Sequence, residues 1–75
     1  MVRPEPESLA REQCGDAVTQ AQRPIAVSAW VRFDGKPERV QGLAIAWTKV
    51  AVCVEWPASP GVHRAWLWAS AVDRI

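Results

Sequence analysis

Short runs of alternating apolar and polar residues, separated by turn-forming residues, are the feature that most constrains the fold of this chain. The clearest run covers residues 50–56, in which Val50, Val52, Val54 and Trp56 alternate with smaller or polar residues. A period of two places one set of side chains on each face of a β-strand, whereas an amphipathic helix repeats every 3.6 residues. The pattern therefore predicts short strands, with residues 50–56 at an internal position of a sheet.

Three further runs share this pattern, at residues 26–33, 39–48 and 62–68. Asp34 and Gly35 end the first run because this dipeptide favours positive φ, and Pro37 is expected to keep an internal strand from beginning at once. Gly42 predicts a bulge or a bend early in the second run. Residues 57–61, which contain two prolines and a glycine, predict a loop before the fourth run.

The end of the chain predicts a strand, one tight helical turn and a short closing strand. The turn falls on the small residues Ala69, Ser70 and Ala71, and the closing strand on residues 72–75. Five short strands with this ending, over residues 25–75, resemble the SH3-like small β-barrels. The resemblance is most specific over residues 66–72, and it implies an all-β, five-stranded barrel.

The resemblance concerns the fold and does not extend to one family within it. No segment similar to Ala-Leu-Tyr-Asp-Tyr opens the barrel, and Ala71 stands where the peptide-binding SH3 domains carry an aromatic residue of the proline groove. Recognition of proline-rich peptides is therefore not expected. Similar barrels of the Tudor, chromo-like and ribosomal groups bind methylated side chains or nucleic acid, so the fold leaves the function open.

Residues 1–24 differ in composition from the rest of the chain and are interpreted as an N-terminal extension of a barrel over residues 25–75. Their polar composition favours a disordered or fraying tail. The alternative is a short helix with Ser8 as its N-cap, although Gly15 would weaken it. The sequence leaves open whether this extension covers the barrel.

Charge and cysteine content exclude several classes of protein. Nine basic and eight acidic side chains give a net charge of +1, too little for a strong field toward nucleic acid or an anionic membrane. Cys14 and Cys53 fit neither a disulfide-rich scaffold nor a zinc site, so both are interpreted as free thiols. With no signal-peptide pattern and no apolar run of membrane-spanning length, a cytoplasmic protein is expected. The bias toward Ala, Val, Arg, Pro and Trp is typical of a high-GC bacterial genome.

Five tryptophans in a chain of 75 residues are too many for so small a core to hide. Strand alternation places Trp56 with the valines of its strand, and Trp47 is likewise interpreted as a core or rim residue. Alternation places the other three opposite the expected core, beside two arginines. The predicted partner-binding residues are Trp30, Arg32, Arg64, Trp66 and Trp68.

These observations favour a non-enzymatic binding module. Tryptophan and arginine dominate the energetics of protein interfaces, so a protein partner is expected, or a second copy of the chain in a homodimer. The alternative is DNA or RNA, with bases stacked on the same tryptophans and arginines on the phosphates. His63 is the single histidine and has no nucleophile arranged around it, so no catalytic residue, cofactor, metal or small-molecule substrate is predicted.

Overall fold

The protein is all-β, as the alternation predicts. The computed structural model describes residues 6–15, 17–58 and 61–75. Ser59 and Pro60 of the expected loop lie outside these residues, whereas Pro57, Ala58 and Gly61, also expected in that loop, belong to strands. The described elements are α1 (Arg11–Cys14), β1 (Thr19–Phe33), β2 (Lys36–Trp47), β3 (Ala51–Ala58), β4 (Gly61–Trp68), a 3-10 turn (Ala69–Ala71) and β5 (Val72–Arg74).

The five strands form one antiparallel sheet in the order β4-β3-β2-β1-β5. β3 pairs with a strand on each side, which confirms its predicted internal position. β4 and β5 end the sheet, and in the described part of the chain no ladder joins these two strands. The expectation of five strands is therefore confirmed, whereas the sheet is not closed into a barrel by strand pairing.

β1 is longer than the run that predicts it. It begins at Thr19, where it pairs with Trp47 of β2, so residue 24 lies within the strand. The register shifts between Gln20 and Ile25, and Pro24 falls inside this irregular stretch, where no ladder hydrogen bond is required of it.

Pro37 does not delay β2, which contradicts the expectation from the sequence. β2 begins at Lys36, and Pro37 pairs with Arg32. The main-chain carbonyl of Arg32 points away from β2, since it accepts a hydrogen bond from Glu7. Pro37 therefore occupies a pair without cross-strand hydrogen bonds, and its nitrogen faces away from β1. On that side β3 pairs with β2 only from Leu43 onward, so the missing N–H costs no hydrogen bond of the ladder.

The turn between β1 and β2 has the predicted chemistry. Asp34 has a φ of 52° and Gly35 a φ of 78°, so both central residues adopt the left-handed region. This conformation matches the right-handed twist of the two strands that it connects. The dipeptide thereby fixes the register in which Trp30 meets Arg39 across the pair.

Gly42 does not mark the bulge that the sequence suggests there. The register shift of β2 against β3 lies between Ala44 and Ala46. Instead, Gly42 permits a close approach of the two strands, because a Cβ atom there would collide with the carbonyl oxygen of Glu55 and lie 3.0 Å from the Cβ of Trp56. The glycine is thus needed for packing rather than for an unusual φ.

The core fills the inner face of the curved sheet. Trp56 is buried there and packs edge-on against Phe33, with ring centroids 6.3 Å apart, which confirms its predicted structural role. The His63 ring lies 5.9 Å from Phe33 and 5.7 Å from Trp56. The buried core residues are Val27, Ala29, Val31, Ala44, Val54, Trp56, Ala65 and Leu67.

Four more buried residues lie apart from this core: Cys14, Ala46, Ala51 and Cys53. Cys53 pairs with Ala46 on one side and with Trp66 on the other, and directly paired residues share a face of the sheet. Since Val54 faces the core, Cys53 faces outward. Its burial there places it beneath the N-terminal segment that carries Cys14.

Candidate binding groove

Residues 6–14 cross from one edge of the sheet to another, and we call this segment the N-terminal strap. The amide of Glu7 donates a hydrogen bond of 2.8 Å to the carbonyl of Arg32 in β1. The amide of Leu9 donates one of 2.9 Å to the carbonyl of Trp66 in β4. The strap therefore connects two strands that the sheet ladder leaves apart.

Side chains of the strap add to these main-chain contacts. The Ser8 hydroxyl accepts a hydrogen bond of 2.9 Å from the amide of Trp66, so it does not cap a helix. The Glu7 carboxylate accepts one of 2.8 Å from the amide of Gly35 in the β1–β2 turn. The first described residues of the chain are thus held against the sheet.

The helix in the strap is only one turn long, over Arg11–Cys14. It begins after Ala10, whose amide donates a hydrogen bond of 2.9 Å to the Gln13 side chain. Gly15 ends it with a φ of 93°. The Cys14 carbonyl accepts a hydrogen bond from the hydroxyl of Thr48, which fixes the end of the helix to the β2–β3 turn.

A groove of about 690 Å³ lies between the strap and the sheet. Val31 and Leu67 border it as well, but both are buried and their side chains belong to the core. The strap contributes a wall that contains Leu9 and both polar and charged groups, among them Glu7 and Gln13. The groove is therefore partly apolar, with hydrogen-bonding groups along one side, which is the usual character of a binding cleft.

The opposite wall contains four of the five residues that the sequence predicts for partner binding: Trp30, Arg32, Trp66 and Trp68. Trp30 is 49% exposed and Trp68 is 45% exposed, whereas Trp66 is half-buried. Strand alternation thus correctly placed all three rings outside the core. Whether they contact a partner remains a prediction.

Arg39 holds the ring of Trp30 in place. Its guanidinium carbon lies 5.7 Å from the centre of that ring, within the range of a cation–π contact. The Arg39 Nε also donates a hydrogen bond of 2.5 Å to the hydroxyl of Ser28, which precedes Trp30 by two residues in β1. The sequence did not single out Arg39, because its proximity to Trp30 depends on the β1–β2 register.

Arg64 does not line the groove. Its Nε and Nη2 donate hydrogen bonds of 3.1 Å and 2.6 Å to the Glu55 carboxylate on the neighbouring strand. That hydrogen bonding, together with the attraction of the carboxylate, raises the pKa of Arg64 above its ordinary value. The structure thus groups Arg32 with the three tryptophans and directs Arg64 toward Glu55.

Cys53 lies under the strap and is not a reactive thiol of the groove. Burial raises the pKa of the Cys53 thiol, and Arg64 opposes this effect. Nearby Glu55 and Cys14 reinforce it. Both cysteines are free, as expected from the sequence, and both are buried.

Neither a metal site nor a transmembrane helix is found in the described ranges. Within residues 6–15, 17–58 and 61–75, no three His, Cys, Asp or Glu side chains converge to hold a metal ion. No helix in these same ranges is long and apolar enough to cross a membrane.

Comparisons with protein-family models, curated proteins and solved structures give no match to this chain. The groove must therefore be interpreted from its own residues. Its sheet wall follows from strand alternation, whereas the strap wall follows from no recognisable sequence signal, because residues 6–10 show neither helical nor strand periodicity.

Proposed function

We propose that this protein is a non-enzymatic binding module whose groove takes a segment of a protein partner. The observation that carries this proposal is the exposure of Trp30 and Trp68 on one wall of the groove. Two large rings that remain half open to water in so small a domain represent apolar surface that a partner can bury.

The chemistry of the groove favours a partner with an apolar anchor and an acidic side chain. The tryptophan rings would receive the anchor, since aromatic residues in such clefts supply most of the binding energy. Arg32 is exposed beside them and can meet a carboxylate. Glu7 competes less for that arginine, because its carboxylate already accepts the amide of Gly35.

We also infer that the domain is a variant of the SH3-like small barrels. Support comes from the 3-10 turn at Ala69–Ala71 and from β5, which follows that turn and pairs with β1. The N-terminal strap takes the place of direct pairing between the sheet edges on the side of the groove. This inference concerns architecture, and the proposed binding does not depend on it.

Affinity capture followed by calorimetry tests the proposed function. Wild-type protein and a Trp68→Ala variant are used as baits in a bacterial extract, and each protein retained by the wild type alone is purified and titrated. Loss of the Trp68 ring should weaken binding by about 2 kcal/mol, roughly thirtyfold. A Val50→Ala variant is the matched control, because Val50 is equally exposed but does not line the groove.

Nucleic acid is the second candidate. It is favoured by the position of Arg39 over the Trp30 ring and by Arg32, which lies two residues after Trp30 in β1. Bases would stack on the tryptophans while the arginines contact phosphates. Titration with short DNA and RNA oligonucleotides at low and moderate salt separates the two candidates. Binding that weakens steeply with salt and requires Trp68 favours nucleic acid, and absence of oligonucleotide binding favours the protein partner.

A further inference from the structure

The outer edge of β4 has unpaired main-chain groups beyond the strap. The amide and carbonyl of Trp66 point away from β3, since they bond to Ser8 and Leu9. In an antiparallel ladder every second residue points the same way, so those of Arg64 and Val62 also point outward. Within the described ranges, no other group bonds to the outward N–H and C=O of these two residues.

The side chains along this edge do little to prevent pairing with another strand. Natural edge strands are protected by charges, prolines or bulges. Here the pairing of β3 with β4 is continuous from the Ala51–Trp68 pair to the Ala58–Gly61 pair, without a bulge. Val62 is 63% exposed, and the charge of Arg64 is neutralised by Glu55.

We propose that a second copy of this chain pairs with β4 along residues 61–65, in antiparallel orientation, with the two-fold axis at His63. In this register Val62 of each copy lies opposite Arg64 of the other. Both residues have outward main-chain groups, so each such pair can exchange both of its hydrogen bonds. The edge is therefore complementary to itself, as a two-fold interface requires.

Charge favours a second copy at this edge over one at the groove between the strap and the sheet, which we call the aromatic groove. Each Arg64 retains its own Glu55, so the pairing brings together neutral ion pairs. The groove instead carries the exposed Arg32, for which no ion pair is found in the described residues, so a second copy there would add two unpaired arginines to the interface. The groove remains free for a different partner.

Apolar surface next to the edge would be covered by the same contact. Val62 shares a shallow groove of about 430 Å³ with Leu43 and Ile75, both of which are exposed. Their burial adds a hydrophobic contribution to the main-chain hydrogen bonds. The proposed dimer thus extends the five-stranded sheet through two adjacent copies of β4.

Sedimentation velocity on the full chain and on two Val62 variants tests this pairing. Proline at position 62 removes only an outward N–H, so Val62→Pro leaves the hydrogen bonds between β3 and β4 intact. We expect the wild type to form a dimer with a dissociation constant below about 1 mM, and Val62→Pro to raise that constant by at least about tenfold. Val62→Ala keeps the amide and should still dimerise. Circular dichroism verifies that each variant is folded, and Val62→Lys replaces Val62→Pro if the latter is not.

Two results would overturn the proposal. One is a wild-type protein that stays monomeric up to about 1 mM. The other is a dimer whose dissociation constant is the same in a folded Val62→Pro or Val62→Lys variant, which would place the contact elsewhere. Because Val62 does not line the aromatic groove, either failure leaves the proposed partner binding untouched.

Discussion

Gly42 lies where β3 passes close to β2, and the space that a side chain would need is already occupied by Glu55 and Trp56. Gly42→Ala should therefore lower the free energy of unfolding by about 1–3 kcal/mol, because the strands must move apart or Trp56 must shift. Urea denaturation measures the loss. Gln41→Ala, an exposed neighbour on the same strand, should stay within about 0.5 kcal/mol of the wild type, and equal effects of the two substitutions would contradict the packing.

Cys53 should make stability depend on pH in the alkaline range. Burial raises the pKa of its thiol in the folded protein above the ordinary value of 9.0. The unfolded thiol therefore loses its proton first, and above pH 9.0 the folded chain holds more protons than the unfolded chain. The free energy of unfolding should fall as pH rises through this range.

Urea denaturation of wild-type protein and a Cys53→Ala variant, between about pH 8 and about pH 10, isolates this contribution. The stability of the wild type should decline relative to that of the variant as pH rises. Parallel curves for the two proteins would show that Cys53 is not shielded by the strap.

Among elements, the β2–β3 turn attaches the end of the strap to the sheet. The Thr48 hydroxyl accepts hydrogen bonds from the amides of Val50, at 3.2 Å, and Ala51, at 3.1 Å, and donates to the carbonyl of Cys14. One hydroxyl thus stabilises the turn and holds the end of α1. Its loss should affect both elements together.

Thr48→Val removes the hydroxyl and preserves the shape of the side chain, and it should lower the free energy of unfolding by about 1–3 kcal/mol. Hydrogen exchange should also show faster exchange of the Leu9 amide, because the strap loses one of its attachments to the sheet. Thr48→Ser keeps the hydroxyl and serves as the control. Unchanged exchange at Leu9 in Thr48→Val would mean that the strap is held independently of the turn.

The strands themselves were predictable because alternation is a local signal. The runs at residues 62–68 and 69–71 correspond closely to β4 and the 3-10 turn. The first part of β1 was not predictable, since Thr19 and the polar residues after it carry no alternation and become a strand through pairing with Trp47 and Ala46. Their conformation is determined by a distant partner.

At the scale of the whole molecule, the two walls of the groove differ in how far sequence could predict them. Strand alternation predicts which face Trp30 and Trp68 occupy, and their exposure agrees with it. The strap wall depends on contacts between residues far apart in the chain, such as Ser8 with Trp66. The pairing of Arg64 with Glu55 likewise depends on the register of β3 against β4.

The two proposed interactions use separate surfaces of the molecule. The aromatic groove lies between the strap and the ends of β1 and β4, and the free half of the β4 edge lies beyond the strap. A dimer built on that edge would carry two grooves, so each dimer could bind two partner segments. Such divalent binding strengthens attachment to any partner that presents the segment more than once.

The most direct test of the groove is the set of indole N–H signals in a two-dimensional NMR spectrum of the labelled protein, recorded with and without the captured partner. We expect the signals of Trp30, Trp66 and Trp68 to shift, and the signal of the buried Trp56 to stay in place as an internal reference. Saturable binding that leaves the three groove indoles unchanged would contradict the proposal that this groove is the binding surface.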